Sequence, residues 1–420
     1  MIKMKVVIVG AGHNGLVASA ILAKKGFNVT VLEANEKIGG MTDTIEVKGV
    51  RISRASYVLG LMPEFLVEEF KIPLVKGDVF QTFFVNNKVI PFWRDEKKRR
   101  EEMVKVGETK YPEFEELILN FKKLMEEKFT YVDKPPSKDE VLEEAEKKGL
   151  EVFITTSAKK FLSEYISEDY HYFFIYHGME RAPAYVIAYY FSPSWALVRG
   201  GMGTVAERIA EYAISYGAEI RTGIKVVDLV EKGDRIVGVV TSDGKIIDAD
   251  VVVISTSPLV FSDYLGIKLE LDYAGWKKYN AILSEYPKFP QQLKGFEYSL
   301  IDTEFGEVIF PSILDDSRGG IVIESMADID ELESIFQGLR KNIIYLEELN
   351  SRNAEKIYNL PFGNLNHLPM TSNFLFDKRL GYKTKYDNVY LASAGTYPGG
   401  QVTGIPGYNV ANLIIKTYQR

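Results

Sequence analysis

Gly10, Gly12 and Gly15 are spaced G-x-G-x-x-G between the β-branched run Lys5-Val6-Val7-Ile8-Val9 and a stretch of helical composition from Leu16 to Lys25. That order brings backbone N–H groups and the positive end of a helix dipole to one point, where a pyrophosphate could sit. Gly10 would make the tight turn, Gly12 would let the backbone approach the phosphates, and Gly15 would let the helix pack on the sheet. Gly26 closes the helix, Asn28-Val29-Thr30-Val31-Leu32 reads as a second strand, and Glu33 ends it. An acid there is placed to accept hydrogen bonds from an adenosine ribose and disfavours a 2′-phosphate. Strand, glycine turn, helix, strand and acid together predict a dinucleotide site that includes His13, Asn14 and Ala34. The competing reading is a glycine turn without a ligand.

A second glycine pair, Gly39-Gly40, follows the acid and leads through Met41-Thr42-Asp43-Thr44 to the alternating Val50-Arg51-Ile52-Ser53. It resembles the second signature of glutathione-reductase-like flavoproteins, in which the loop returns along the pyrophosphate towards the flavin. A simple nicotinamide dehydrogenase has no use for it, so the expected cofactor is FAD. At the other end of the chain, Val389-Tyr390-Leu391-Ala392 reads as a strand and Ala394-Gly395-Thr396 as backbone able to approach the pyrophosphate. After Pro398-Gly399-Gly400, Val402-Thr403-Gly404 is expected to open a helix running through Val410 to Ile415. Its free N–H groups would face the flavin N1–C2=O edge in the manner of an oxyanion hole. The alternative is a glycine-rich surface loop before a terminal helix.

These ends need a frame. At 420 residues the chain predicts two domains. Its 51 basic and 58 acidic residues leave a net charge of -7, which argues against a nucleic-acid partner. With no cysteine, disulfides, thiolate catalysis and iron–sulfur clusters are excluded, and four histidines without zinc spacing predict no metal. The apolar run after the basic start is too short for a signal peptide, and nowhere do 18 apolar residues run together. The expectation is a cytoplasmic protein without a transmembrane segment, with peripheral membrane contact left open.

Gly10 to Ala18, Leu32-Glu33-Ala34 and Ile38-Gly39-Gly40 resemble the phytoene desaturase/amine oxidase superfamily of flavoproteins. Ser53-Arg54-Ala55-Ser56-Tyr57-Val58-Leu59 and the stretch from Asn388 to Gly407 resemble its phytoene-dehydrogenase-like branch. That branch includes the pyridine nucleotide-disulfide oxidoreductase domain-containing proteins, although a chain without cysteine cannot exchange disulfides. The resemblance implies an α/β fold: a glutathione-reductase-like FAD-binding Rossmann domain with an inserted mixed α+β substrate domain. The FAD domain would comprise 1–61, 196–260 and 386–420, and the substrate domain 62–195 and 261–385. It also implies backbone near Val226 at the adenine, Ser255 and Thr256 beside the nucleotide, and Arg54, Ser56 and Tyr57 leading towards the flavin. Gly400 belongs to the C-terminal motif.

The middle is less legible. Asp95 to Lys110 and Asn120 to Lys148 read as solvated helix faces; Phe296 to Asp302, Glu307 to Pro311 and Ile321 to Glu324 read as strands. From Tyr165 to Trp195 aromatic residues are dense, either as ordinary core or as the lining of an apolar tunnel over the flavin. His171, His177, His367 and Tyr57 are the candidate catalytic groups, against the blander reading of satisfied core or surface side chains. No acid or base is compulsory, because hydride transfer to flavin N5 is the cofactor's chemistry. The expected activity is FAD-dependent dehydrogenation or isomerisation of a small lipophilic substrate such as an isoprenoid. Amine oxidation and a flavin-bound scaffold with little turnover are the alternatives. No second dinucleotide unit is present, so the expected electron acceptor is oxygen, a quinone or another protein.

Overall fold

The computed structural model describes residues 3–176 and 178–419. Its first sheet is parallel throughout, with strands in the order Val389–Leu391, Val251–Ile254, Lys5–Val9, Asn28–Leu32 and Glu219–Arg221. The run Val6 to Val9 is buried from end to end because both faces of the sheet are covered. On one face Val6, Ile8, Val29 and Val31 pack under the helices His13–Lys24, Gly203–Ser215 and Ile405–Tyr418. On the other, Val7, Val9 and Leu32 meet a three-stranded antiparallel sheet of Val226–Lys232, Arg235–Thr241 and Ile246–Asp248. The two ends of the chain touch closely. A Cβ on Gly407 would lie 2.0 Å from the Asn14 carbonyl, so only glycine lets the last helix sit against the first.

The intervening chain builds a seven-stranded sheet in the order Ile343–Asn350, Lys277–Leu283, Ile321–Ser325, Gly306–Ile309, Leu300–Thr303, Val79–Val85 and Lys88–Trp93. Strands from residues 62–195 and from 261–385 meet where Leu300–Thr303 pairs in parallel with Val79–Val85. Helices including Glu96–Lys105, Tyr111–Met125 and Ala158–Tyr165 close around Phe83, Phe92, Phe114, Phe121 and Phe174. Among the described residues no helix is long and apolar enough to cross a membrane.

Three local expectations shift. Phe296 to Ser299 is not strand, since Ser299 N–H turns back to the Phe296 carbonyl and pairing starts at Leu300. The last helix starts at Ile405 rather than Val402: Gly404 is left-handed at φ 70°, and Pro406 tolerates only a first-turn place. The charged run after Asp95 is not wholly solvated. Arg99 and Glu115 are fully buried against each other, with Nε to Oε1 at 2.8 Å, and Arg99 also donates to the Trp93 carbonyl.

Candidate active site

The C-terminal ends of the parallel strands open into a single cavity of about 1240 Å³ that extends to the seven-stranded sheet. Gly10 leaves the first strand at φ 102°, its N–H on the Leu32 carbonyl at 2.8 Å. Gly12, His13 and Asn14 face the cavity. Gly15 does not: its Cβ would fall 2.3 Å from the Gly10 carbonyl oxygen, so it serves the turn's packing. Glu33 lines the cavity with Ala34, and its carboxylate accepts the Ala11 N–H at 2.8 Å and the Asn35 N–H at 2.9 Å.

The second glycine pair runs back alongside the first. Gly39 N–H donates to the Ala11 carbonyl at 2.8 Å, and Gly40 and Met41 line the cavity beside Gly12. Ser56 and Tyr57 continue the wall, Ser56 Oγ donating to the Met41 carbonyl at 2.8 Å. Val226, Ser255, Ala394 and Val402 line it as well. Gly395, Gly400 and Thr403 shape the wall from behind. Gly395 packs on Pro258 and His367, a Cβ on Gly400 would strike Asn366 Oδ1, and Thr403 Oγ1 accepts the Ile405 N–H.

Arg54, predicted to lead towards the flavin, does not line the cavity: its guanidinium donates to Glu347 at 2.7 Å and lies 3.9 Å from Asp43. His171 does not line it either, its Nε2 meeting the Ile166 carbonyl at 2.9 Å. His177 lies outside the described residues. His367 faces the cavity at φ 56°, and Tyr57 donates its hydroxyl to Glu307.

Several lining residues have unspent bonding capacity. His13 Nε2, Asn14 Oδ1, Ser255 Oγ, Ser257 Oγ and His367 Nδ1 are buried without a hydrogen-bond partner, and all five residues face this one cavity. Such atoms are costly unless a ligand satisfies them. Burial pushes His13 down to about 4, partly offset by the Gln401 backbone. Burial, then His13 and the Arg379 charge, push His367 down to about 3, so both rings are neutral donor–acceptor groups at neutral pH. An elongated cavity with an acid at one end, glycine backbone along it and unpaired polar atoms between fits FAD.

Beyond Tyr57 the lining becomes aromatic, with Phe80, Phe83, Phe92, Phe173, Phe174 and Trp195. The aromatic stretch from Tyr165 to Trp195 supplies both core and cavity wall. Phe174 and Phe191 belong to the helical core and also face the cavity. Four titratable side chains that the sequence does not single out also line this wall: Lys278, Asp302, Glu304 and Glu307. Lys278 Nζ donates to the Ser53 carbonyl at 2.7 Å and to Asn280 Oδ1, and burial pushes it down to about 8. A sequence signal existed for these acids, since Asp302 and Glu307 lie one pair back from the Glu304-Phe305 turn, but it needed the strand register.

The sequence profile of the family described as "Flavin containing amine oxidoreductase" matches residues 15–286. Pyridine nucleotide-disulfide oxidoreductase domain-containing protein 2 of Rattus norvegicus is 23% identical, over 98% of this chain and 93% of its own length. The phytoene desaturase of Fusarium fujikuroi is 26% identical over 62% of this chain and 50% of its own. Among solved structures, a putrescine oxidase with redesigned cofactor binding superposes with a TM-score of 0.61 at 16% identity, covering 98% of this chain and 99% of that one. At that identity the likeness is one of fold.

Proposed function

The chain belongs to the flavin-containing amine oxidoreductase family and is an FAD-dependent oxidoreductase, and from that premise we propose that it dehydrogenates a lipophilic substrate of isoprenoid or fatty character. In this reading residues 1–61, 196–260 and 386–420 act as a glutathione-reductase-like FAD domain, and 62–195 with 261–385 as the substrate domain. FAD, when bound, supplies the hydride acceptor. Glu33 would hold the ribose, the backbone at Gly12 and Gly40 the pyrophosphate, and Ser56, Tyr57, Val402 and His367 would surround the flavin.

The observation that carries the proposal is the aromatic wall beyond Tyr57, from Phe80 to Trp195, which continues the cofactor cavity without a break. Such a wall binds apolar substrate by burial and keeps water from the reacting carbon. The phytoene desaturase relative is in keeping with it. The electron acceptor would be oxygen, a quinone or another protein. A second reading, oxidation of an amine, is favoured by one feature: the buried lysine such a site calls for is available at Lys278, although its ammonium is already bonded to Ser53, Arg54 and Asn280.

The test is anaerobic mixing of the FAD-loaded protein with isoprenoid and fatty lipids in one series and aliphatic amines in another. Bleaching of the flavin absorbance by lipids alone is the expected result. Bleaching by amines alone transfers the function to the second reading, and a flavin that neither series reduces points to a scaffold.

A further inference from the structure

Asp302 and Glu307 stand directly opposite each other on the antiparallel strands Leu300–Thr303 and Gly306–Ile309. Cross-strand partners project from the same face of a sheet, with Cβ atoms about 5 Å apart. Here that face is the cavity wall, and both residues line it. Like charges in such a position repel, and natural sheets avoid them unless the pair has a use or a proton. Each acid is also held by a neutral donor: Tyr57 gives its hydroxyl to Glu307 Oε2, and Gln81 gives its amide N–H to Asp302 Oδ2.

No cation among the described residues bonds to either carboxyl. Lys278 is nearby, 5.2 Å from the Tyr57 ring, but its ammonium is spent on Ser53 and Asn280 and faces Glu324 and Glu347. The other titratable groups about the pair are Tyr57, Tyr172 and Tyr176, all held protonated by burial, and Glu304 in the turn that joins the two strands. Burial, then the Glu307 charge, raises Asp302 well above the usual carboxylate range, and burial raises Glu307. Two carboxyls so placed cannot both ionise near neutral pH and titrate as one unit.

We propose that Asp302 and Glu307 form a carboxyl pair sharing a single proton, and that this pair accepts the proton the substrate releases as its hydride passes to FAD. The proposal rests on the dehydrogenase reading above. The balance is complete: two hydrogens leave the substrate, one as hydride with both electrons to the cofactor, the other as a proton to the ionised member of the pair. The substrate gains a double bond, and the pair goes from one proton to two. Reoxidation of the cofactor by its acceptor lets the pair return that proton to water. Tyr57, bonded to Glu307, is a positioning residue that holds the accepting carboxyl against the wall.

The test needs no substrate. Potentiometric titration of the FAD-loaded protein between pH ~6 and ~8 counts the protons that enter with each electron pair. The wild-type protein is expected to take up one proton more per electron pair than E307Q or D302N, which keep shape and hydrogen-bonding capacity but lack the shared-proton pair; the protons taken by the flavin itself are common to all three. Full FAD content and an unaltered flavin spectrum establish that each variant is folded. Equal proton uptake in all three proteins overturns the proposal. Infrared difference spectra of photoreduced minus oxidised wild-type protein give a second measure, independent of either variant's folding: a carboxylic C=O band that shifts in D2O is expected, and its absence overturns the pair. Failure of lipids to bleach the flavin removes the substrate reading and leaves proton uptake unchanged, so the two failures are distinguishable.

Discussion

Glu33 Oε2 accepts the Ala11 N–H at 2.8 Å, tying the acid at the end of the second strand to the glycine turn after the first. The carboxylate thus supports the turn as well as facing the cavity. E33Q replaces a charged acceptor with an amide whose NH2 confronts one of the two backbone donors, Ala11 and Asn35. Hydrogen bonds to a charged group contribute about 2 kcal/mol, so FAD affinity should fall roughly thirtyfold. Fluorescence titration of the apoprotein with FAD measures this; unchanged affinity would remove Glu33 from the site.

Gly12 and Gly15 should fail in opposite ways. A Cβ on Gly12 meets nothing within 4 Å and its φ of -70° suits any residue, so G12A should leave apoprotein stability within about 0.5 kcal/mol of wild type. Its methyl group would occupy the space where the phosphates approach, and FAD binding should drop at least tenfold. A Cβ on Gly15 would lie 2.3 Å from the Gly10 carbonyl oxygen and 2.7 Å from Ser255 Oγ. G15A should therefore destabilise the fold itself, by about 1–3 kcal/mol, whether FAD is present or not. Urea midpoints with and without FAD separate the two behaviours.

What could be read from sequence was what is local in the chain. The glycine turn, its strands and Glu33 fall within residues 5–33, and hydrophobic run and turn chemistry specify them without tertiary information. Pairing was the part that could not be read. Arg54 looked free to reach a flavin because its partner Glu347 lies 293 positions away, in a strand whose register sequence does not reveal. The same gap hid Lys278 beneath Ser53, and only the hairpin's register, not distance along the chain, hid Asp302 opposite Glu307. Arg99 reads as a surface charge because composition alone cannot distinguish a solvated arginine from one buried against an acid such as Glu115.

Arg379 holds the C-terminal cofactor loop. Its fully buried guanidinium donates to six backbone carbonyls, those of Asn366, Leu368, Pro369, Phe374, Ala394 and Thr396. A planar fork with five N–H donors can serve this many acceptors, and an ammonium with three cannot. R379M should cost about 3–5 kcal/mol, since it leaves buried carbonyls unpaired in the loops that carry His367 and Ala394. R379K should recover only part of that loss. Urea unfolding of the FAD-loaded proteins provides the comparison, and a wild-type midpoint for R379M would contradict this role.

His367 sets a stability limit on the acid side. Burial first, then His13 and the Arg379 charge, hold its ring down to about 3, whereas the unfolded chain titrates near 6.5. A depressed histidine is neutral in the fold, so as pH falls below 6.5 the unfolded state takes the proton first. The stability it contributes is present above pH 6.5 and is lost progressively as pH falls towards the folded value. One such group removes at most about 1.4 kcal/mol per pH unit. Asn tolerates the left-handed backbone at this position, φ 56° in the wild type, and does not titrate. H367N should therefore lose roughly 1–2 kcal/mol less than wild type between pH ~7 and ~5, measured as urea stability of the FAD-loaded protein. His13, depressed to about 4 by the same burial, keeps part of the acid sensitivity in the variant. Parallel losses in the two proteins would mean that His367 meets protons as readily in the fold as in the unfolded chain.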